Sequence, residues 1–106
     1  MGEAWYRQSL ILSSEQLITD WPVESFNDLS ESLLEPVVEL KPDIVLVGTG
    51  ARQQFLPAEL MMVFFRRGIG AEVMTTDAAC RTFNVLVSEG RQVVAALIQP
   101  GAELPR

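Results

Sequence analysis

Short apolar strands alternating with helical stretches place this 106-residue chain in the α/β class. Three observations carry that expectation. The runs DIVLV (43–47) and VVAALIQ (93–99) are apolar without alternation, as strands covered on both faces are. Stretches of helical spacing separate the strands. Gly68 and Gly90 fall where two of those helices should stop. The expected order is β-β-α-β-α-β-α-β, with right-handed crossovers between parallel neighbours.

The elements follow in turn. QSLILS (8–13) is short, apolar and closed by the polar SSEQ, so it reads as a strand and turn. ITDWPV (18–23) is extended and ends around Pro22. FNDLSESLLEPVVEL (26–40) has helical spacing at Leu29, Leu33, Leu34, Val37 and Val38. Asp28 or Ser30 can cap its start, and Pro36 is expected to kink it or end a first piece. Lys41-Pro42-Asp43 breaks the pattern before DIVLV. Gly48-Thr49-Gly50 then opens a loop, and Pro57 suits the first turn of PAELMMVFFRRG (57–68). That helix is apolar nearly all round and should be largely buried. Arg66 and Arg67 suit its C-terminal end through the helix dipole. AEVM (71–74) is the next strand, Thr75-Thr76-Asp77 supplies caps, and ACRTFNVLVSEG (79–90) is the last helix. VVAALIQ closes one domain spanning 1–106, with its core at about 8–99 and PGAELPR (100–106) as a loose tail.

Composition narrows the function. The chain is 48% hydrophobic, enough for one core without disulfide staples, and Cys80 is its single cysteine. The cytoplasm is therefore the expected compartment. No apolar stretch approaches the ~18 residues of a membrane span, so no membrane insertion is expected. A net charge of −6 disfavours nucleic acid, because backbone binding depends on neutralising phosphates. The charge is uneven: residues 1–47 carry two basic against nine acidic side chains, residues 48–106 six against five.

The sequence GTGARQQF raises the question of a phosphate cradle, since strand, glycines and helix N-terminus are its parts. A dinucleotide fingerprint needs a third glycine where Gln53 stands, and an acid at the end of the following strand. Glu72 has the right separation but lies too early in AEVM. No Gly-Lys-Ser/Thr follows, which excludes a Walker loop. A smaller anion or ligand pocket is the alternative, built from Gly48, Thr49, Gly50, Arg52, Thr75, Thr76, Asp77 and Arg81 beyond the carboxyl ends of two strands. Against it, Asp77–Arg81 is an ordinary i,i+4 pair and Thr75 or Thr76 an ordinary cap.

Catalytic groups are scarce. There is no histidine, which removes the commonest general base and metal ligand. Cys80 stands in the first turn of a helix, where a dipole can lower a thiol pKa, but core packing is the favoured account. No metal, no cofactor and no catalytic residue is expected, and the chain leans away from being an enzyme. Trp5, Tyr6, Trp21 and Phe26 either cover an edge of the core or form an exposed surface for a protein partner or self-association.

The segments QSLILS, IVLVGTGARQQFLP and RRGIGAEVMTTDAACRTFNVLVSEGRQVVAALI resemble a widespread family. It is the small α/β domain family of unknown function that includes mitochondrial complex I assembly factor 3 of animals. The resemblance runs from about Gln8 to Gln99. Matching positions are Gly48, Thr49, Gly50, Pro57, Gly68, Glu72, Thr75, Ala79, Thr82, Asn84, Glu89, Gly90 and Arg91. It implies a three-layer domain with a mixed, mainly parallel sheet, and no assumed reaction. Two departures stand out: many relatives carry more sequence before the first strand, and Phe83 stands where they commonly have Tyr. The leading expectation is thus a non-catalytic binding or assembly module acting through protein contacts.

Overall fold

The computed structural model describes residues 9–99; Trp5, Tyr6 and the expected tail at 100–106 lie outside them. Strands are β1 (Leu10–Ser13), β2 (Leu17–Ile18), β3 (Ile44–Gly48), β4 (Gly70–Met74) and β5 (Val93–Leu97). The α-helices are α1 (Glu31–Val38), α2 (Ala58–Phe65) and α3 (Thr76–Ser88), with a 3-10 turn at Phe26–Asp28. They alternate in the expected order.

The strands form one five-stranded sheet, ordered β2-β1-β5-β3-β4. β3 lies between β4 and β5 and is parallel to both, Val45 facing Ala71 and Val94 across the ladders. β1 runs antiparallel to β5 and to β2. The sheet is therefore mixed, with a parallel half and an antiparallel half.

Strand side chains alternate between faces, and that sorts the apolar runs into two cores. Ile11, Val45, Val47, Val94 and Ala96 pack with Leu34, Val37, Leu60, Val63 and Phe64, so α1 and α2 share one face. Leu10, Leu46, Val93, Ala95 and Leu97 pack with Ala79 and Phe83, so α3 covers the other. Helices, sheet and helix make the three layers.

Expectations for the first two helices change. Pro36 does not end the first helix but sits inside α1. The chain breaks earlier, where Leu29 is extended (φ −64°, ψ 137°) and Ser30 becomes the N-cap. Proline removes a bond to the carbonyl four residues back, here on Ser32, and exposed Ser32 can offer its carbonyl to water. Second, α2 is only half buried: Leu60, Val63 and Phe64 face in, while Met62 and Phe65 are exposed. Pro57 takes the N-cap position, just ahead of that helix's first residue. β4 is an edge strand and only partly buried.

For Trp21, left open between a core edge and an exposed surface, the structure decides for the core. It is 3% exposed, and its Nε1–H donates to the Leu33 carbonyl at 2.8 Å. An indole can be buried cheaply when its one donor is satisfied, and α1 supplies the acceptor. Phe26 is half-buried against the same core. Trp21 and Phe26 thus belong to the packing between the extended segment and α1.

Helix ends account for the turns. Gly68 (φ 70°) and Gly90 (φ 79°) occupy left-handed stops after α2 and α3. After α1 that conformation falls on Lys41 (φ 56°), the one non-glycine residue with positive φ among the described residues. Arg66 and Arg67 reach from the end of α2 to Glu31 and Glu35 of α1 at 3.1 and 3.6 Å.

Candidate functional site

In open α/β sheets, ligands enter where neighbouring strand ends lead to opposite faces. β3 and β4 meet that description: β3 leads to α2 on one face, β4 to α3 on the other. Gly48, Thr49, Gly50, Thr75 and Thr76 all lie at this edge. The structure brings together the glycines and threonines singled out by the sequence.

It brings them together on each other. Gly48 allows the start of α3 to press onto β3. A Cβ placed there would meet Thr76 Cα at 2.8 Å and Leu97 Cδ2 at 3.2 Å. Gly50 has φ 100°, a conformation that glycine alone adopts readily. The two glycines therefore serve a close approach and a turn.

The hydrogen bonds close the same way. Thr76 Oγ1 accepts from the Gly50 N–H at 2.8 Å and donates to the Ile98 carbonyl at 2.6 Å. The Thr76 N–H donates to the Gly50 carbonyl at 3.0 Å, and the Ile98 N–H to the Gly48 carbonyl at 2.9 Å. Thr49 is 3% exposed, and its hydroxyl donates to the Arg52 carbonyl at 2.6 Å. Its N–H donates to the Met74 carbonyl at 2.8 Å. Thr75 is the N-cap of α3 and accepts from the Ala78 N–H at 3.3 Å. Gln53 Nε2 donates to the Val73 carbonyl of the edge strand at 3.2 Å. One hydroxyl, that of Thr76, thus ties the exits of β3 and β5 to the start of α3.

Around this clasp, Arg52, Asp77 and Arg81 are exposed. Asp77 and Arg81 form a solvent-facing ion pair along α3. Cys80 is half-buried against the α3 core. Burial above all pushes its thiol pKa up, with the Asp77 carboxylate adding to the rise and Arg81 opposing it. That fits the core-packing account of Cys80, since desolvation disfavours the thiolate. No group of three or more His, Cys, Asp or Glu among the described residues could hold a metal.

A different surface escaped the sequence reading. Phe55, in the loop before α2, is 87% exposed, and Phe65 and Met62 on α2 are 54% and 43% exposed. The signal was in LMMVFF: residues 62 and 65, three apart, share one helical face, and 60, 63 and 64 share the other. A helix lying on a sheet can bury only the second.

Comparison with known proteins places the chain. The family described as "Protein of unknown function (DUF498/DUF598)" matches residues 1–98. A zebrafish (Danio rerio) relative, named NADH dehydrogenase (ubiquinone) 1 alpha subcomplex assembly factor 3, is 44% identical over 87 residues. That match covers 80% of this chain and 50% of the relative, so the chain spans about half that protein's length. A Francisella tularensis relative named 13 kDa major membrane protein is 32% identical over 94 residues, covering 88% of this chain and 76% of that one. No helix among the described residues here is long and apolar enough to cross a membrane. A Xanthomonas campestris protein solved by NMR superposes with a TM-score of 0.87 at 43% identity, over 99% of this chain and 80% of the other. With the family's pattern matched along nearly the whole described fold, this chain belongs to the DUF498/DUF598 family of proteins of unknown function.

Proposed function

We propose that this chain is a non-catalytic assembly module that works through protein contacts. One observation carries the reading: Phe55, Met62 and Phe65 stand in solvent, in a fold that buries even Trp21. Large apolar side chains left outside a well-packed core are the usual material of a protein interface. Aromatic anchors of that kind supply much of the binding energy where a partner covers them.

Other features lend support. The chain has no histidine, and its one thiol is half-buried, with its pKa raised by that burial. The zebrafish relative is named an assembly factor. The small-anion alternative at Gly48–Arg52 and Thr75–Arg81 has less behind it, because the Gly50 N–H and the Thr76 hydroxyl already satisfy each other. The cytoplasm is the compartment that the lone cysteine favours.

Photo-crosslinking in cells tests the reading, with the reactive residue placed at 55, at 65, or at 84 on the exposed side of α3. Discrete protein adducts are expected at 55 and 65 and none at 84. An adduct of twice the chain's mass identifies the partner as a second copy. Adducts at 55 and 65 no stronger than at 84 would sink the proposal.

A further inference from the structure

The opposite edge of the sheet, at the amino ends of the parallel strands, holds a shallow cavity of about 310 Å³. Val38, Pro42 and Ile69 line it, all buried, and Lys41 and Arg67 stand at its rim. Its size falls at the low end of small-molecule sites, and an apolar floor with a few charged groups is their usual character.

Lys41 is the telling residue. It holds the left-handed conformation (φ 56°) that Gly68 and Gly90 take at the other two helix ends. A lysine there works against backbone preference, and a backbone outlier is a reason to look for a use. Its side chain is exposed and makes no ion pair among the described residues. Helix-end capping by itself would be better served by glycine.

Arg67 adds a second cation whose charge is partly engaged. Its Nη1 donates to the Val63 carbonyl at 3.1 Å, and its Nη2 lies 3.6 Å from a Glu35 carboxylate oxygen. A guanidinium has five N–H donors, so others remain for a ligand. The ends of α1 and α2 oppose an anion here through their dipoles, as does Glu35. Lys41 is the cation at this cavity that no carboxylate among the described residues pairs with.

We propose that this cavity binds a small amphiphilic carboxylate, its head held between Lys41 and Arg67 and its apolar part on Val38, Pro42 and Ile69. The two halves of the ligand match the two halves of the site. A carboxylate accepts charge-assisted bonds from both cations, and the apolar part removes floor surface from water. The site uses other residues than Phe55, Met62 and Phe65, so either proposal can fail without the other.

Titration with octanoate, followed by amide chemical shifts, tests it, with octanol and acetate as single-feature controls. Saturating shifts at Val38, Lys41 and Ile69 are expected for octanoate, with both controls weaker by at least about tenfold. Lys41→Gly should weaken octanoate by a similar factor while melting at a higher temperature than the parent chain. Lys41→Gln, which keeps a side chain and removes the charge, should weaken it as well. The proposal is overturned if octanoate produces no saturating shifts, if either variant titrates like the parent, or if Lys41→Gly melts lower.

Discussion

The two ends of the parallel strands are built in opposite ways. At the carboxyl end, Gly48, Gly50, Thr49 and Thr76 face one another, and the Thr49 and Thr76 hydroxyls and the Gly50 N–H are spent on the clasp and the backbone beside it. At the amino end, Lys41 is held in a costly conformation beside an apolar cavity, its ammonium without an ion pair among the described residues. The carboxyl end is where this class of sheet ordinarily binds ligands, and here it is sealed by its own chain. A cluster of threonines and glycines is a binding site only if donors are left over. In this clasp the Thr49 and Thr76 hydroxyls and the Gly50 N–H are already used.

The sharpest way to break the contrast is Gly48→Ala. The added Cβ would meet backbone, which cannot swing aside, and the chain should lose about 3 kcal/mol by overpacking. Denaturant unfolding measures it; a loss no larger than that of an exposed substitution would show that the edge is looser than drawn. Thr76→Val comes next. It keeps the shape and strands both the Gly50 N–H and the Ile98 carbonyl, for an expected loss of about 2 kcal/mol. Amide exchange at Gly50 should quicken in that variant.

The amino end should respond with the opposite sign. Lys41→Gly relieves the left-handed backbone and should stabilise the fold by about 1 kcal/mol, seen in the same unfolding experiment. Arg81→Ala is the smallest change. Its ion pair with Asp77 lies in solvent, so a loss of about 0.3 kcal/mol is expected, fading with added salt. A large effect there would mean that Arg81 belongs to the clasp after all.

Much of the fold was legible in the sequence. IVLVG and VVAAL were readable as doubly covered strands because neither has a polar residue to turn toward water. Gly68, Gly90 and Thr75 marked helix ends because left-handed stops and N-caps demand few residue types. Pro36 misled because its effect depends on whether the Ser32 carbonyl can reach solvent. LMMVFF misled because hydrophobicity does not say how many faces of a helix have something to pack against.

The candidate site was legible only as a set of residues. Sequence placed Gly48, Gly50 and Thr76 at one sheet edge, since strand and helix boundaries fix that much. It could not say that the threonine hydroxyl would be consumed by Gly50 and Ile98, which lie 26 and 22 residues away. Nor could it say that Trp21 would find its acceptor on Leu33 and leave Phe55 outside. Lys41 looked like an ordinary loop residue until its backbone was known. The order of elements is a local property, set by periodicity and by residues that cap or stop. Which polar and apolar groups remain free is settled by partners distant in sequence, and tertiary structure alone brings those into contact.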